Sequence, residues 1–328
     1  MILGKHCQLP VLAGKSPDRT KRESAVKKFS RWLQNRDIIG NIYFLPFIEK
    51  LLLILSQQTL YLILDGSIIG RNSACLMVSV VYKHRAIPVA WLVIEGKKGH
   101  FCEAYHIEVL QLAKTLLPEN VNVVVLGDGE FDGVNFLKTI EDFGWYFAVR
   151  TSKNAHLQCN KQAIKLPATL LEDKSVYWLN VIFTKALFGP LTLVMWRPLK
   201  EKRALYLVSN GKIPSQIIAW YKHRHKIETL FSDKKSRGFQ LHKSHLSDIA
   251  RLGRLLIASC IAYIWLILLG EQALITGVNK YFHRTERCDL SLLQLGFRLI
   301  DYLLNNAVPV PKLEINFNFI NRVQKCVR

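Results

Sequence analysis

The rhythm of hydrophobic and polar positions changes several times along the chain. From Thr20 to Asn35 (TKRESAVKKFSRWLQN) the apolar residues recur at helical spacing. Val26, Phe29 and Leu33 share one face, and Lys21, Lys27, Lys28 and Arg31 occupy the others. A second apolar helix is predicted over Pro46–Ser56, with proline in its first turn, where a missing N–H costs nothing. Then the period shortens. Leu60–Asp65 (LYLILD) is an unbroken apolar run that ends in a carboxylate and Gly66. Ala74–Tyr82 and Ala86–Ile94 read as two strands of a hairpin joined by Lys83, His84 and Arg85. Glu103–Leu117 reads as a helix stopped before Pro118. Val121–Leu126 (VNVVVL) suits a strand buried on both faces and ends in Gly127-Asp128-Gly129. A helix over Gly133–Phe143 and a strand over Trp145–Arg150 follow. Strand, hairpin, helix, strand, helix, strand describes a mixed α/β domain.

Between Ser152 and Asn210 the pattern is β-rich, with strands expected at Tyr177–Phe183, Leu191–Trp196 and Leu205–Ser209. No strong helix separates them, which suggests an inserted β subdomain. The helical pattern returns near Pro214. The run Leu255–Leu269 (LLIASCIAYIWLILL) has 15 residues, short of the roughly 20 that span a bilayer. A fully buried core helix over 252–269 explains it better than a membrane segment. Leu290–Asn305 is a further amphipathic helix. These shifts divide the chain into an N-terminal helical segment (1–57), the first half of the α/β domain (58–151), a β-rich insertion (152–212), the second half (213–275) and a helical tail (276–328).

Charge narrows the partners. Lys and Arg number 45 against 25 Asp and Glu, a formal charge of +20. Such an excess points to a polyanion, nucleic acid foremost, and its spread along the chain favours an extended binding surface over one basic arm. The 7 cysteines contain no C-x-x-C pair, which argues against a disulfide framework or a zinc site and for a reducing compartment. The first residues, MILGKHCQLPVLAG, lack the sustained apolar core of a signal peptide. His223/His225 and His242/His245 read as polar or phosphate-facing.

The candidate chemistry centres on Trp220–Lys235 (WYKHRHKIETLFSDKK). On a continuous α-helix, at about 100° per residue, Tyr221, Arg224, Glu228 and Lys235 fall within about 60° of one another. One carboxylate among a phenol, a guanidinium and an ammonium suits a metal ion beside phosphates. The plainer alternative is a solvated face with i,i+3 and i,i+4 pairs. Asp65 and Asp128 both end apolar strands, the place where open α/β sheets hold their active sites, although most such aspartates are turn residues. Three carboxylates can hold two Mg²⁺ ions about 3.5–4 Å apart, enough for phosphoryl transfer without a protein nucleophile. Asp128–Gly133 also resembles the start of a calcium loop, but its twelfth position is Thr139 where a glutamate is needed, and a strand precedes it. Asp128 directly follows the strand and is the preferred ligand, with Asp132 as the alternative.

Asp65-Gly-Ser, the GDGEFDG run (127–133) followed by WYFAVR, and Tyr221-x2-Arg224-x3-Glu228-x6-Lys235 resemble the DDE transposases of bacterial insertion sequences. The likeness is to the family-four type, with its Tyr-Arg-Glu-Lys signature. KRESAVKKFSRWLQN, YLVSN (206–210) and SRGFQLHKSHL (236–246) are similar to the same group, and the resemblance runs from about Thr20 to about Gly270. It implies a ribonuclease H-like mixed sheet with flanking helices, an inserted β subdomain and a helical N-terminal segment. It also implies cut-and-paste transposition through a hairpin intermediate. Asp65, Asp128 and Glu228 would be the catalytic triad holding two Mg²⁺ ions, for which Mn²⁺ can substitute. Tyr221, Arg224 and Lys235 would hold phosphates near the cut end, and Arg150, Lys153, Lys27, Lys28 and Arg31 would contact DNA elsewhere. An aromatic residue of the insertion would stack on a flipped base, with Trp178 and Trp196 the candidates, although both could equally be core of that subdomain. The implied partners are double-stranded DNA (terminal inverted repeats and target) and a second copy of the chain in a paired-end complex, with no membrane.

Two features depart from that pattern. His225 stands where such helices often carry Trp, which is expected to alter packing more than chemistry. Only 19 residues precede Thr20, fewer than relatives usually carry, so segment 1–57 is expected to be a shortened end-recognition region. The alternatives are a catalytically inactive DNA-binding or repressor form, and a structure-specific nuclease of the same fold.

Overall fold

The computed structural model describes residues 1–17, 20–96, 101–284, 287–313 and 315; the end of the 276–328 tail, with Cys326, lies outside the described residues. The chain opens with helices α1 (Leu9–Ala13), α2 (Arg22–Gln34), α3 (Gly40–Tyr43) and α4 (Leu45–Leu55). Strands β1 (Leu60–Gly70), β2 (Ser73–Tyr82) and β3 (Arg85–Glu95) follow, then α5 (Glu103–Lys114), β4 (Val123–Gly127), α6 (Val134–Asp142) and β5 (Tyr146–Thr151). The β-rich stretch comprises β6 (Leu157–Cys159), β7 (Gln162–Ala163), β8 (Ser175–Phe183), β9 (Phe188–Trp196) and β10 (Leu205–Ser209). Helices α7 (Pro214–Tyr221), α8 (Lys226–Lys234), α9 (Ile249–Thr276) and α10 (Leu292–Asn305) complete it.

Two compact units result, and they interleave along the chain. One gathers the N-terminal residues through Ile54, the strip Ile68–Ser73 and the chain from Phe231 onward; the other is Leu55–Ser67 with Ala74–Leu230.

The second unit is built on a ten-stranded sheet in the order β3-β2-β1-β4-β5-β10-β9-β8-β6-β7. β1, β4 and β5 run parallel, with Leu62 opposite Val125 and Val125 opposite Phe147. Every residue of β4 is buried, as its unbroken apolar run requires of a strand covered on both faces. With the β1–β3 meander on one side, this is a ribonuclease H-like mixed sheet. The β-rich insertion extends that sheet: β10 pairs antiparallel with β5, placing Leu207 opposite Arg150 and Val208 opposite Val149. The seam is reinforced by side chains. Asn210 accepts from the Phe147 amide and donates to the Trp145 carbonyl, both at 3.0 Å. Ser209 donates to the Phe147 carbonyl.

One sequence expectation shifts here. β1 continues to Gly70, so Asp65 lies within a strand and does not terminate one. The strand outlasts its parallel partner because β1 is also paired to β2, whereas its register with β4 ends at Ile63 opposite Leu126. Asp65 therefore still sits just past the carboxyl end of the parallel pairing.

The first unit is helical. In α2, Ala25 and Leu33 are buried while Lys27, Lys28 and Arg31 are exposed. α9 is 28 residues long, not the 15-residue run that argued against a membrane segment. By length and composition alone it could cross a bilayer, but 72% of its most apolar window is buried inside the protein. Burial, not shortness, supports the core-helix reading. The Asp248 side chain caps its start by accepting from the Arg251 amide at 2.7 Å, and Gly277 ends it at φ +72°. α9 and α10 meet at small residues: a Cβ on Gly270 would lie 1.9 Å from the Leu292 carbonyl oxygen, and one on Gly296 would lie 2.1 Å from that of Leu266.

Candidate active site

The signature segment does not form one helix. α7 ends at Tyr221 and α8 begins at Lys226, and the turn between them is closed by short-range bonds. The His223 and Arg224 amides donate to the carbonyls of Trp220 (3.0 Å) and Tyr221 (2.9 Å), and those of Lys226 and Glu228 to His223 and His225, both at 3.1 Å. These i→i−3 bonds tighten the backbone toward 3₁₀ geometry, so the uniform stripe expected for Tyr221, Arg224, Glu228 and Lys235 is broken.

What fixes the turn is a polar anchor on the sheet. The Lys226 ammonium donates to the Lys83 carbonyl in the β2–β3 turn and meets His223 Nδ1, each at 2.8 Å. The His223 ring packs on Tyr61 of β1, 4.6 Å between centroids. Burial, with help from the nearby Lys226 and His225 charges, pushes His223 down to about 4, so at neutral pH it is an uncharged acceptor for the lysine.

Between these anchors, Arg224 reaches all three carboxylates. Its Nη2 lies 3.0 Å from Asp128 Oδ2 and 3.4 Å from Asp65 Oδ2, and Nη1 binds Glu228 Oε1. Asp65 and Asp128 are held alike. Asp65 Oδ1 accepts from the Gly66 amide at 2.7 Å and Asp128 Oδ1 from the Glu130 amide at 3.0 Å, so each turns its Oδ2 toward the same guanidinium nitrogen. Gly66 is required beside Asp65, because a Cβ there would lie 2.3 Å from the Phe101 ring. The side chains of Asp65, Arg224, Asp128 and Glu228 are 3%, 15%, 28% and 59% exposed, a gradient from core to solvent.

The electrostatics agree. Burial alone would lower Arg224's pKa, but the surrounding Asp65, Asp128, Tyr221 and Glu228 outweigh it and the net direction is up. A carboxylate as buried as Asp65 needs such a cation, since an unpaired buried charge is strongly destabilising. Tyr221 is buried and its phenol is pushed up to about 12, chiefly by burial, so it remains a hydrogen-bond donor.

Asp132 is occupied elsewhere: its Oδ2 accepts from the Thr151 hydroxyl at 2.7 Å, and burial raises its pKa. Of the two aspartates in the GDGEFDG run, only Asp128 joins Arg224 in the hydrogen bonds of the described residues.

Do these residues suit a divalent ion? Among the described residues no three His, Cys, Asp or Glu side chains are already gathered as a metal-binding group. The donor chemistry nevertheless fits. Asp65 and Asp128 present hard oxygens to a common point with their second oxygens anchored, and Glu228 completes the set from the other arm of the fork. That is the ligand type Mg²⁺ prefers.

The remaining expected contacts are dispersed. Arg150 and Lys153 line a cavity beside Asp128. Lys235, Lys27, Lys28 and Arg31 belong to the other compact unit. Trp196 is only 6% exposed, a core ring with the Lys222 ammonium 5.4 Å from its centroid, so it is not available for base stacking. Trp178 is half-buried on β8. Sequence reasoning missed Arg197, Lys202 and Arg203, which also line the cavity; the KEKR run at 200–203 was the signal.

The transposase DDE domain family matches residues 65–265, beginning at Asp65 and enclosing Asp128, Arg224 and Glu228. The chain belongs to that family. No curated protein matches it. Among solved structures, the cryo-EM structure of the piggyBac transposase synaptic complex with hairpin DNA is similar at 14% identity and a TM-score of 0.44. That match covers 82% of this chain and 57% of the other, so the chain spans little more than half the length of that transposase.

Proposed function

We propose that the chain is a metal-dependent DNA transposase of the family-four type that cleaves element ends and transfers the freed strand to target DNA. Asp65, Asp128 and Glu228 are its metal ligands. The observation that carries this reading is the convergence of three carboxylates, from β1, the end of β4 and α8, on the single guanidinium of Arg224.

Two Mg²⁺ ions, or Mn²⁺ in their place, would supply activation of the attacking oxygen and stabilisation of the leaving one. The chain's own residues do the rest. The buried Asp65 and the anchored Asp128 fix the ligand oxygens on the sheet. Glu228, exposed on its helix, completes the set from solvent. Arg224 neutralises the carboxylates and, with its planar fork, is suited to grip a backbone phosphate. Tyr221 donates a hydrogen bond to a phosphate oxygen. A hairpin intermediate and a paired-end homodimer on terminal repeats belong to this reading and rest on the resemblance of the Tyr221–Lys235 spacing.

The test is a cleavage assay with the purified chain, Mg²⁺ and DNA carrying the gene's own flanking sequence, with cuts mapped to the nucleotide. Metal-dependent cuts at element ends are expected from the wild type. Glu228→Gln should still bind that DNA and leave it uncut; wild-type cleavage by this variant contradicts the assignment. Binding without cleavage by the wild type would favour the inactive DNA-binding form.

A further inference from the structure

Beside Asp128, within the sheet-based unit, lies a cavity of about 1280 Å³. That exceeds the roughly 300–1,000 Å³ of a small-molecule cleft and leaves room for a short stretch of polymer. Its walls come from Asp128–Glu130, the end of β5 with Ser152 and Lys153, residues 168–170, and the stretch from Arg197 through Glu201–Tyr206. Five cationic side chains line it, against the carboxylates of Asp128, Glu130 and Glu201.

The cations divide by role. Arg197 serves the wall: its Nε donates to the Glu201 carbonyl at 2.9 Å and its Nη1 to the Leu170 carbonyl at 3.0 Å. Its backbone is bonded to Asp173 and Lys174, and the Lys200 amide donates to Glu172 Oε1 at 3.2 Å. These bonds hold the 170–174 and 197–201 segments together. Arg150, Lys153, Lys202 and Arg203 are exposed and face the cavity. Glu130 is engaged away from them, with Phe101 N at 3.4 Å and His106 Nε2 at 3.9 Å. Tyr206, Met195 and Leu205 supply apolar faces between the charges.

We propose that this cavity binds a single strand of DNA, a few nucleotides long, leading away from Asp128. Its phosphates lie on Arg150, Lys153, Lys202 and Arg203, and Tyr206 offers a face for a base. A basic groove interleaved with aromatic and apolar surface is the chemistry that single strands select. Arg197 is a positioning residue that ties the 170–174 and 197–201 segments of the wall together. The inference rests on the transposase reading and assigns a second DNA contact to the same unit.

The experiment measures fluorescence anisotropy of a labelled duplex carrying a short single-stranded tail, alongside the blunt duplex, over a range of salt. The wild type should prefer the tailed DNA by about tenfold or more. In K202A/R203A the preference should shrink severalfold and the salt slope on tailed DNA fall by about 1.4, at about 0.7 per single-strand phosphate, while blunt-duplex affinity stays unchanged. Neutral methylphosphonate linkages in the tail should weaken the wild type more than the variant, which keeps only Arg150 and Lys153 as tail contacts. A control pair outside the cavity, K161A/K185A, should keep the preference. Retention of tail preference and slope in K202A/R203A overturns the proposal while the transposase reading stands. Equal loss on blunt and tailed DNA overturns the single-strand assignment. Failure of the wild type to bind any DNA defeats the transposase reading itself.

Discussion

The two halves of the sheet solve different problems. In β2 and β4 nearly every residue is buried, and β1 is the same up to Ser67. In β8 the pattern alternates, with Tyr177 and Leu179 exposed. The first half is covered on both faces and can hold two aspartates at fixed positions, Asp65 buried and Asp128 part-exposed. In the second half β8 leaves a face open, and beside that half lies a cavity lined with cations. Rigid carboxylates and an accessible basic surface are thus supplied by one sheet with two burial regimes, joined where β10 meets β5.

The difference is open to attack by mutation. The largest effect is expected in the doubly covered half. Leu126→Ala should cost about 2–5 kcal/mol, read as a lower midpoint in denaturant unfolding, whereas Leu179→Ala on β8 should cost less than about 0.5 kcal/mol. Equal losses would show that both halves are packed alike. Next, Gly66→Val drives a side chain into the Phe101 ring and should cost about 1–3 kcal/mol. It should also displace Asp65, so cleavage should fall further than the stability loss explains. At the seam, Asn210→Ala leaves the Phe147 amide and Trp145 carbonyl without these side-chain bonds, an expected loss of about 1–3 kcal/mol. If Asn210→Ala is neutral, backbone pairing alone joins the halves.

The smallest effect is a pH dependence. His223 is depressed from its ordinary 6.5 to about 4 in the folded protein. The unfolded chain therefore takes up its proton first as the solution is acidified, and the contribution to stability is whole above about 6.5 and lost between there and about 4. His223→Gln should flatten the fall of thermal midpoint across that window. An unchanged slope would mean that burial does not depress His223 in the folded protein.

Much of this was legible in the chain because it rests on local rules. Continuous apolar runs mark doubly covered strands, so β1, β4 and the positions of Asp65 and Asp128 followed from pattern. Arg224 and Glu228 were found together for a sound reason: four residues apart, they meet across one turn even after the helix breaks. Other features depend on long-range contacts. Nothing local shows that His223 and Lys226 bind the β1 and β2–β3 region and tighten the turn, nor that Lys235 falls in a different compact unit. The partner of Asp132 is Thr151, 19 residues away, which spacing alone does not reveal. Trp196 reads as a possible base platform until its burial is known. The α9 helix extends past its apolar run because its cap, Asp248, lies well before the run begins.

The central claim is that Asp65, Asp128 and Glu228 form the metal site and that Asp132 does not. Calorimetric titration of Mn²⁺ into the wild type, Asp128→Asn and Asp132→Asn tests it most directly. The account predicts that Asp132→Asn binds metal as the wild type does, since an amide can still accept from Thr151, and that Asp128→Asn does not. Metal binding retained by Asp128→Asn and lost by Asp132→Asn would contradict it.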